Sequence, residues 1–168
     1  MLASNLDKKK FENICIIDTN AKIGSKIKVS GGAKCNITNE LVTASNYLGD
    51  REFVAELLEK FSKNELLAFL NKNGVFPKIN PKIVKGTYFC NSSQDVIDMF
   101  TKLTTHVKKY LNTTVLDIDF DKHFKIKTDS KTIEAKKVVV ASGGLSYPIL
   151  GASSLAFDIA KKFGHTIT

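Results

Sequence analysis

Three stretches of this sequence combine residue types and spacing suited to holding an anion or a nucleotide. The first is Asp18, which closes the short apolar run NICII at residues 13–17. A carboxylate at the end of a buried strand can accept hydrogen bonds from an adenosine ribose, and it can equally be a simple turn residue. The second is Ser30-Gly31-Gly32-Ala33-Lys34-Cys35-Asn36-Ile37-Thr38-Asn39. Adjacent glycines let the backbone approach a ligand closely and leave N–H groups free for an anion or a ring edge. Lys26 and Lys34 add positive charge there, and Asn36 and Asn39 add amide donors. An ordinary glycine-rich turn around a buried cysteine is the competing reading. The third is Val138-Val139-Val140 running into Ala141, Ser142, Gly143 and Gly144. Small residues at a strand's carboxyl end allow a flat or phosphorylated ligand to cross the sheet edge, or simply make a tight turn.

No other group stands out as reactive. Cys35 has no histidine or second cysteine next to it in sequence to activate its thiol, so a packing role is expected. The three cysteines (Cys15, Cys35, Cys90) and three histidines (His106, His123, His165) are scattered, which argues against a disulfide framework and a metal centre. No residue offers itself as a catalytic acid or base.

The elements that must position these residues follow from periodicity. Residues 13–17 read as a buried strand of a parallel sheet. The segment 22–39 has glycines and no helical period, and is expected to be an extended functional loop. Residues 51–61 place Phe53, Val54, Leu57, Leu58 and Phe61 at helical spacing. Ser62 and Glu65 match a capping box for a second helix through Leu66, Leu67, Phe69 and Leu70, with Gly74 at its end. Residues 77–86 read as an irregular connection. A third helix is expected from Ser92 or Ser93 to near Tyr110, with Val96, Met99, Phe100, Leu103 and Val107 as its core stripe. Residues 113–120, 123–128 and 132–135 alternate like a three-stranded antiparallel meander. Residues 137–141 read as another buried strand. A last helix over 153–163 precedes Gly164, and its N-terminus offers a place for an anion. The whole is expected to be one α/β domain with an antiparallel insertion.

The chain has 168 residues, 43% of them apolar, in keeping with a globular domain. No apolar run reaches the ~18 residues of a membrane helix, and residues 1–11 do not resemble a signal peptide, so a cytoplasmic location is expected. The formal net charge is +8, but among the 25 basic residues only Arg51 is arginine. Base reading and bidentate phosphate contacts favour arginine, so a nucleic-acid-binding module is the weaker reading of this charge.

Taken together, these residues resemble bacterial NAD(P)/FAD-dependent oxidoreductases of the BaiN or aminoacetone-oxidase-like type. One signature is KIGSKIKVSGGAKCNITN at 22–39; the other is ASGGLSYP at 141–148, followed by Gly151 and IAKKFGH at 159–165. The resemblance implies a partial glutathione-reductase-like FAD-binding domain of Rossmann type over 1–168, with the β-meander at about 113–135. It places Asp18 on the ribose, Lys26, Gly31, Gly32 and Asn36 along the cofactor, and the Val115 backbone on the adenine. Ala141, Ser142, Gly143 and Gly144 match the turn at the diphosphate and ribose, and Tyr147 lies in the same motif. The implied activity is transfer of a hydride or electron pair between FAD and a small substrate or nicotinamide, with NAD(P)H as a possible donor.

The sequence departs from the family pattern in places. No Gly-x-Gly-x-x-Gly occurs, although that loop normally precedes the acidic residue by about 20 positions. Gly86-Thr87-Tyr88-Phe89-Cys90 stands where the family has Gly-Arg-x-Phe-Pro, and 151–156 lacks the acidic residue and two glycines of Gly-Ser-Thr-Gly-Asp-Gly. Family members also continue past Thr168. The expectation is a chain that begins inside a βαβ unit, lacking the first strand and its loop. Such a fragment is either part of a working flavoenzyme or catalytically incompetent without a complementing chain.

Overall fold

The computed structural model describes residues 1–79, 85–146 and 148–167. Its elements, in chain order, begin with α1 (Leu2–Asn5), β1 (Cys15–Ile17), α2 (Ser25–Val29) and β2 (Asn36–Asn39). Then come α3 (Arg51–Lys60), α4 (Lys63–Lys72), β3 (Lys78–Ile79), β4 (Thr87–Phe89) and α5 (Ser93–Leu103). The remainder is β5 (Lys108–Tyr110), β6 (Val115–Phe120), β7 (Phe124–Thr128), β8 (Thr132–Ala135) and α6 (Leu155–Lys162), with 3-10 turns at Ala44–Asn46 and Pro148–Leu150. Two compact units result, one of residues 1–5 and 26–105, the other of 6–25 and 106–168.

In the first unit, the starts of α3, α4 and α5 are each set by a side chain that satisfies free N–H groups. Asp50 Oδ1 accepts from the Glu52 and Phe53 amides at 3.0 and 3.1 Å, opening α3. Ser62 Oγ accepts from the Glu65 amide at 3.3 Å while Glu65 Oε2 accepts from the Ser62 amide at 2.6 Å, completing the expected capping box of α4. The Ser62 amide, and after it the Ser62 hydroxyl, holds the Glu65 carboxyl below its ordinary pKa. Ser92 Oγ accepts from the Gln94 amide at 3.0 Å and opens α5. Leu70, Val75, Val96 and Met99 form the buried core with Cys35 and Cys90, and Phe69 stacks on Phe100 with centroids 6.3 Å apart. The apolar stripe of α3 is another matter: Phe53, Leu57 and Phe61 are exposed. A three-stranded antiparallel sheet of order β2-β4-β3 sets Asn36 opposite Phe89 and Asn39 opposite Thr87.

The second unit holds β1 and β5 as a parallel pair, Cys15 beside Lys108 and Ile17 beside Tyr110. It also holds the meander β6-β7-β8, antiparallel throughout, as the alternation predicts. Ile118, Ile126 and Ile159 are its buried core, flanked by Val115, Phe124, Ile133, Val138 and Leu155. At the β7–β8 turn, Thr128 Oγ1 accepts from the Lys131 amide at 3.0 Å and donates to the Lys131 carbonyl at 2.6 Å. Lys162 Nζ ties α6 to β6 through Asp117 (2.7 and 2.8 Å) and Asp119 (2.6 Å). That ammonium, with the Ile118 amide, holds the Asp117 carboxyl below its usual pKa.

Four expectations are corrected. The segment 22–39 is not an extended loop throughout, because α2 and β2 lie within it; α2, only one turn long, was too short to leave a period. The third helix stops at Leu103 rather than near Tyr110. There the Thr104 hydroxyl donates to the Phe100 carbonyl at 2.7 Å, a local bond that competes with helix continuation. Val107 is buried, as its spacing suggested, but outside the helix and just before β5. Residues 137–141 form no strand, and Val139 and Val140 are exposed; a β-branched run needs a partner strand to pair with, and none pairs it among the described residues. Finally, β1 is parallel but only half-buried, with Cys15 exposed. The expected irregular connection 77–86 lies partly outside the described residues, and its described part includes β3.

Leu70 is 2% exposed and central to the first unit's core. Leu70→Ala is expected to cost about 2–5 kcal/mol of unfolding free energy in a denaturant titration. A loss under about 1 kcal/mol would contradict the packing described for this core.

Candidate functional site

The glycine turn of the first unit is built from left-handed backbone. Gly31, Gly32 and Ala33 have φ of 58, 62 and 67°, and Cys35 follows at 55°. Two non-glycine residues within five positions therefore occupy a basin that costs L-residues roughly 1–3 kcal/mol each, and such strain persists only where neighbours enforce it. The neighbours are identifiable. Ser93, almost fully buried at the start of α5, donates its amide to the Ala33 carbonyl at 2.8 Å and its hydroxyl to the Lys28 carbonyl at 3.1 Å. The Cys90 amide donates to the Lys34 carbonyl at 2.9 Å, and the Cys35 amide closes the turn on the Ser30 carbonyl at 3.0 Å.

The Ala33 and Gly31 carbonyls are thus tied down, by the Ser93 and Lys34 amides, while the amides of Gly31, Gly32 and Ala33 meet no acceptor among the described residues. A run of such free amides can form an anion-binding concavity. Gly31 is also required by size, because a Cβ there would strike the Asn36 side chain and lie 3.1 Å from its backbone nitrogen. Asn36 and Gly31 are therefore in contact, and Lys26 is exposed in the last turn of α2. Asn39 has a different job from the one its amide suggested. Its Nδ2 donates to the Lys85 carbonyl (3.1 Å) and to Thr87 Oγ1 (3.2 Å), and its Oδ1 accepts from the Leu41 amide (3.0 Å), so it fastens β2 to the β4 turn.

Cys35 is buried in the core cluster, as expected for a packing residue. Burial raises its thiol pKa; at Cys90 burial, then the nearby Cys35 and Asp95, push the thiol up to about 11. Neither is a ready nucleophile.

In the second unit, Asp18 extends the parallel pair, its amide donating to the Tyr110 carbonyl at 2.9 Å. Its Oδ1 accepts from the Asn20 amide (2.9 Å) and from Asn20 Nδ2 (3.0 Å), while Oδ2 has no partner among the described residues. Asp18 is a turn residue through one oxygen and an open acceptor through the other. Val115 stands in the meander ladder opposite Thr128. Ala141, Ser142 and Gly143 are exposed irregular chain, and Gly144 is half-buried, where an added Cβ would lie 3.7 Å from the Phe157 ring. Tyr147 lies outside the described residues. An open apolar cleft of about 410 Å³, lined by Ile118, Phe124, Val138 and Phe163 among others, contains none of the expected site residues.

The expected contacts therefore fall into two sets, Lys26, Gly31, Gly32 and Asn36 in one unit and Asp18, Val115 and 141–144 in the other. Two residues that set the site escaped the sequence. Ser93 was legible only as a helix start, and Asn20 was passed over, although Asp-x-Asn after a strand is a pattern for side-chain-to-backbone turns.

A parallel strand pair and two antiparallel three-stranded sheets among short helices make this a mixed α/β protein. Across its full length, residues 1–168, the chain matches the HI0933-like protein Rossmann domain family and belongs to it. It is 33% identical over 169 residues to a ribosomal RNA dihydrouridine synthase of Escherichia coli (strain K12), covering 98% of this chain and 42% of that protein. A 3-dehydro-bile acid delta(4,6)-reductase of Clostridium scindens is 30% identical over 162 residues, covering 92% and 38%. The ribosomal RNA dihydrouridine synthase of Haemophilus influenzae is 30% identical over 168 residues, covering 93% and 40%. The chain thus spans about two fifths of the length of these curated relatives. No helix among the described residues is long and apolar enough to cross a membrane.

Three outcomes follow from this geometry. Gly31→Ala is expected to lower stability more than Gly32→Ala, since both pay for positive φ but only the first meets Asn36; the reverse order in thermal melts would contradict the described turn. Native protein is expected to react with a thiol reagent at Cys15 quickly and at Cys35 and Cys90 only on unfolding. Because the Cys90 pKa is raised in the folded state, its stabilising contribution is complete below about pH 9 and is lost as pH climbs to about 11. Alkaline titration of unfolding midpoints checks this, and Cys90→Ala should flatten that limb.

Proposed function

We propose that this chain supplies nucleotide-holding parts of a FAD-dependent oxidoreductase. The observation that carries the reading is the left-handed turn at 31–33, whose amides meet no acceptor among the described residues while buried Ser93 and Cys90 hold the carbonyls of Ala33 and Lys34. Unpaired donors on strained backbone suit an anionic or electron-rich partner, and a dinucleotide offers both. Asp18 keeps one carboxylate oxygen available, which fits a ribose hydroxyl.

In this reading Asp18 accepts from the adenosine ribose, and the Val115 main chain meets the adenine. Lys26, Gly31, Gly32 and Asn36 run along the cofactor, with Ala141, Ser142, Gly143 and Gly144 at its diphosphate and ribose. When bound, the flavin supplies the redox chemistry, accepting and releasing a hydride or electron pair, with NAD(P)H as the candidate donor. The protein's part is binding and orientation. One relative's name carries a dihydro product and another's a reduction, which supports hydrogen transfer to a substrate. Those names divide between ribosomal RNA and a bile acid, so the shared feature is the chemistry and not the substrate. A small substrate remains our reading. Arginine is too scarce to favour RNA, and weak salt dependence of substrate binding would separate the two.

A second reading has its own observation: the sequence holds no Gly-x-Gly-x-x-Gly. Under it, these residues retain flavin only beside a complementing chain that carries such a loop.

The test is a flavin titration of the purified 168-residue chain, read by absorbance and by co-elution on gel filtration. Stoichiometric FAD on the chain alone supports the first reading. Retention only after adding a glycine-loop segment supports the second. No retention in either case rejects flavin binding.

A further inference from the structure

Asn20 links two segments that lie 130 positions apart in sequence. Its Nδ2 donates to Asp18 Oδ1 at 3.0 Å and to the Leu150 carbonyl at 3.2 Å, and its own amide donates to the same Asp18 oxygen at 2.9 Å. Its carbonyl accepts from the Asn112 amide at 3.1 Å. Two acceptors facing one nitrogen fix which way the side-chain amide points. Gly151, next in the chain to Leu150, packs so closely that a Cβ there would lie 3.0 Å from Nδ2. Asn20 is half-buried, and swinging its side chain away would break both Nδ2 bonds while its backbone amide stays on Asp18 Oδ1.

The consequence falls on Asp18. A carboxylate free to rotate about χ2 presents either oxygen, and an ordering cost then falls on any ligand it binds. Here Oδ1 is held by two donors, so Oδ2 is presented in one orientation before a ligand arrives. We propose that Asn20 is a positioning residue: it locks the Asp18 carboxylate so that Oδ2 accepts a ribose hydroxyl, and it makes that lock depend on the Pro148–Leu150 turn. This rests on the ribose role proposed for Asp18 and adds a residue and a coupling to it. Preorganisation of this kind raises affinity by removing a cost, with no new contact to the ligand.

The readout is discrimination between ADP and 2′-deoxy-ADP, measured by calorimetric titration on the full chain. A hydroxyl donating to a charged carboxylate corresponds to a preference of about 10-fold or more for ADP. Asn20→Ala and Asn20→Asp are expected to cut that preference to roughly 2-fold. Gly151→Ala, which crowds the same side-chain amide, should act in the same direction. A purely structural role would lower the melting temperature and leave the ADP to 2′-deoxy-ADP ratio unchanged. That result in a folded Asn20 variant, with Asp18→Ala still abolishing the preference, overturns this proposal and leaves the ribose role standing. If wild type shows no preference and Asp18→Ala changes nothing, the ribose role itself fails and this proposal with it. Failure of both Asn20 variants to fold would mark Asn20 as structural and also overturn it.

Discussion

Ser93 donates from both its amide and its hydroxyl into the chain that flanks the glycine turn. Those bonds, with those of the Cys90 and Cys35 amides, hold three successive residues in the left-handed basin. The energy comes from the core beneath, where Cys35, Cys90, Val96 and Met99 pack together. Packing fixes α5, α5 fixes Ser93, and Ser93 fixes the Ala33 and Lys28 carbonyls, leaving the 31–33 amides without an acceptor among the described residues. Each step is a familiar interaction, and the functional arrangement is their sum.

The second unit solves the same problem with polar atoms. Asp18 leaves the sheet edge through a bond to Tyr110, is turned by Asn20, and so meets the Pro148–Leu150 turn. Its apolar core lies elsewhere, in the meander and α6, and the expected contact residues flank that core without joining it, apart from Val115.

Periodicity was legible wherever an element was long and its partners local. The meander, α3, the capped α4 and the start of α5 all followed from spacing and caps, because those signals act within a few residues. Short or partner-dependent elements were not legible. One-turn α2 left no period, and the valine run at 137–141 has strand chemistry without a strand. The end of α5 hinged on one threonine hydroxyl that a hydrophobic pattern does not register. For the site, residue type pointed to Asp18 and the glycines. The hydrogen bonds of Asn20, Asn39 and Ser93 span 130, 48 and 65 positions, too far for local patterns to reach.

Position 32 carries a consequence of its own. A methyl group there would meet nothing within 4 Å, yet φ is 62°. The pocket of space is indifferent to bulk, so handedness is the sole filter at that point in the chain. A mirror-image residue would rest in its own preferred basin where every natural side chain is penalised, whereas next door at Gly31 the Asn36 side chain adds a second, steric filter.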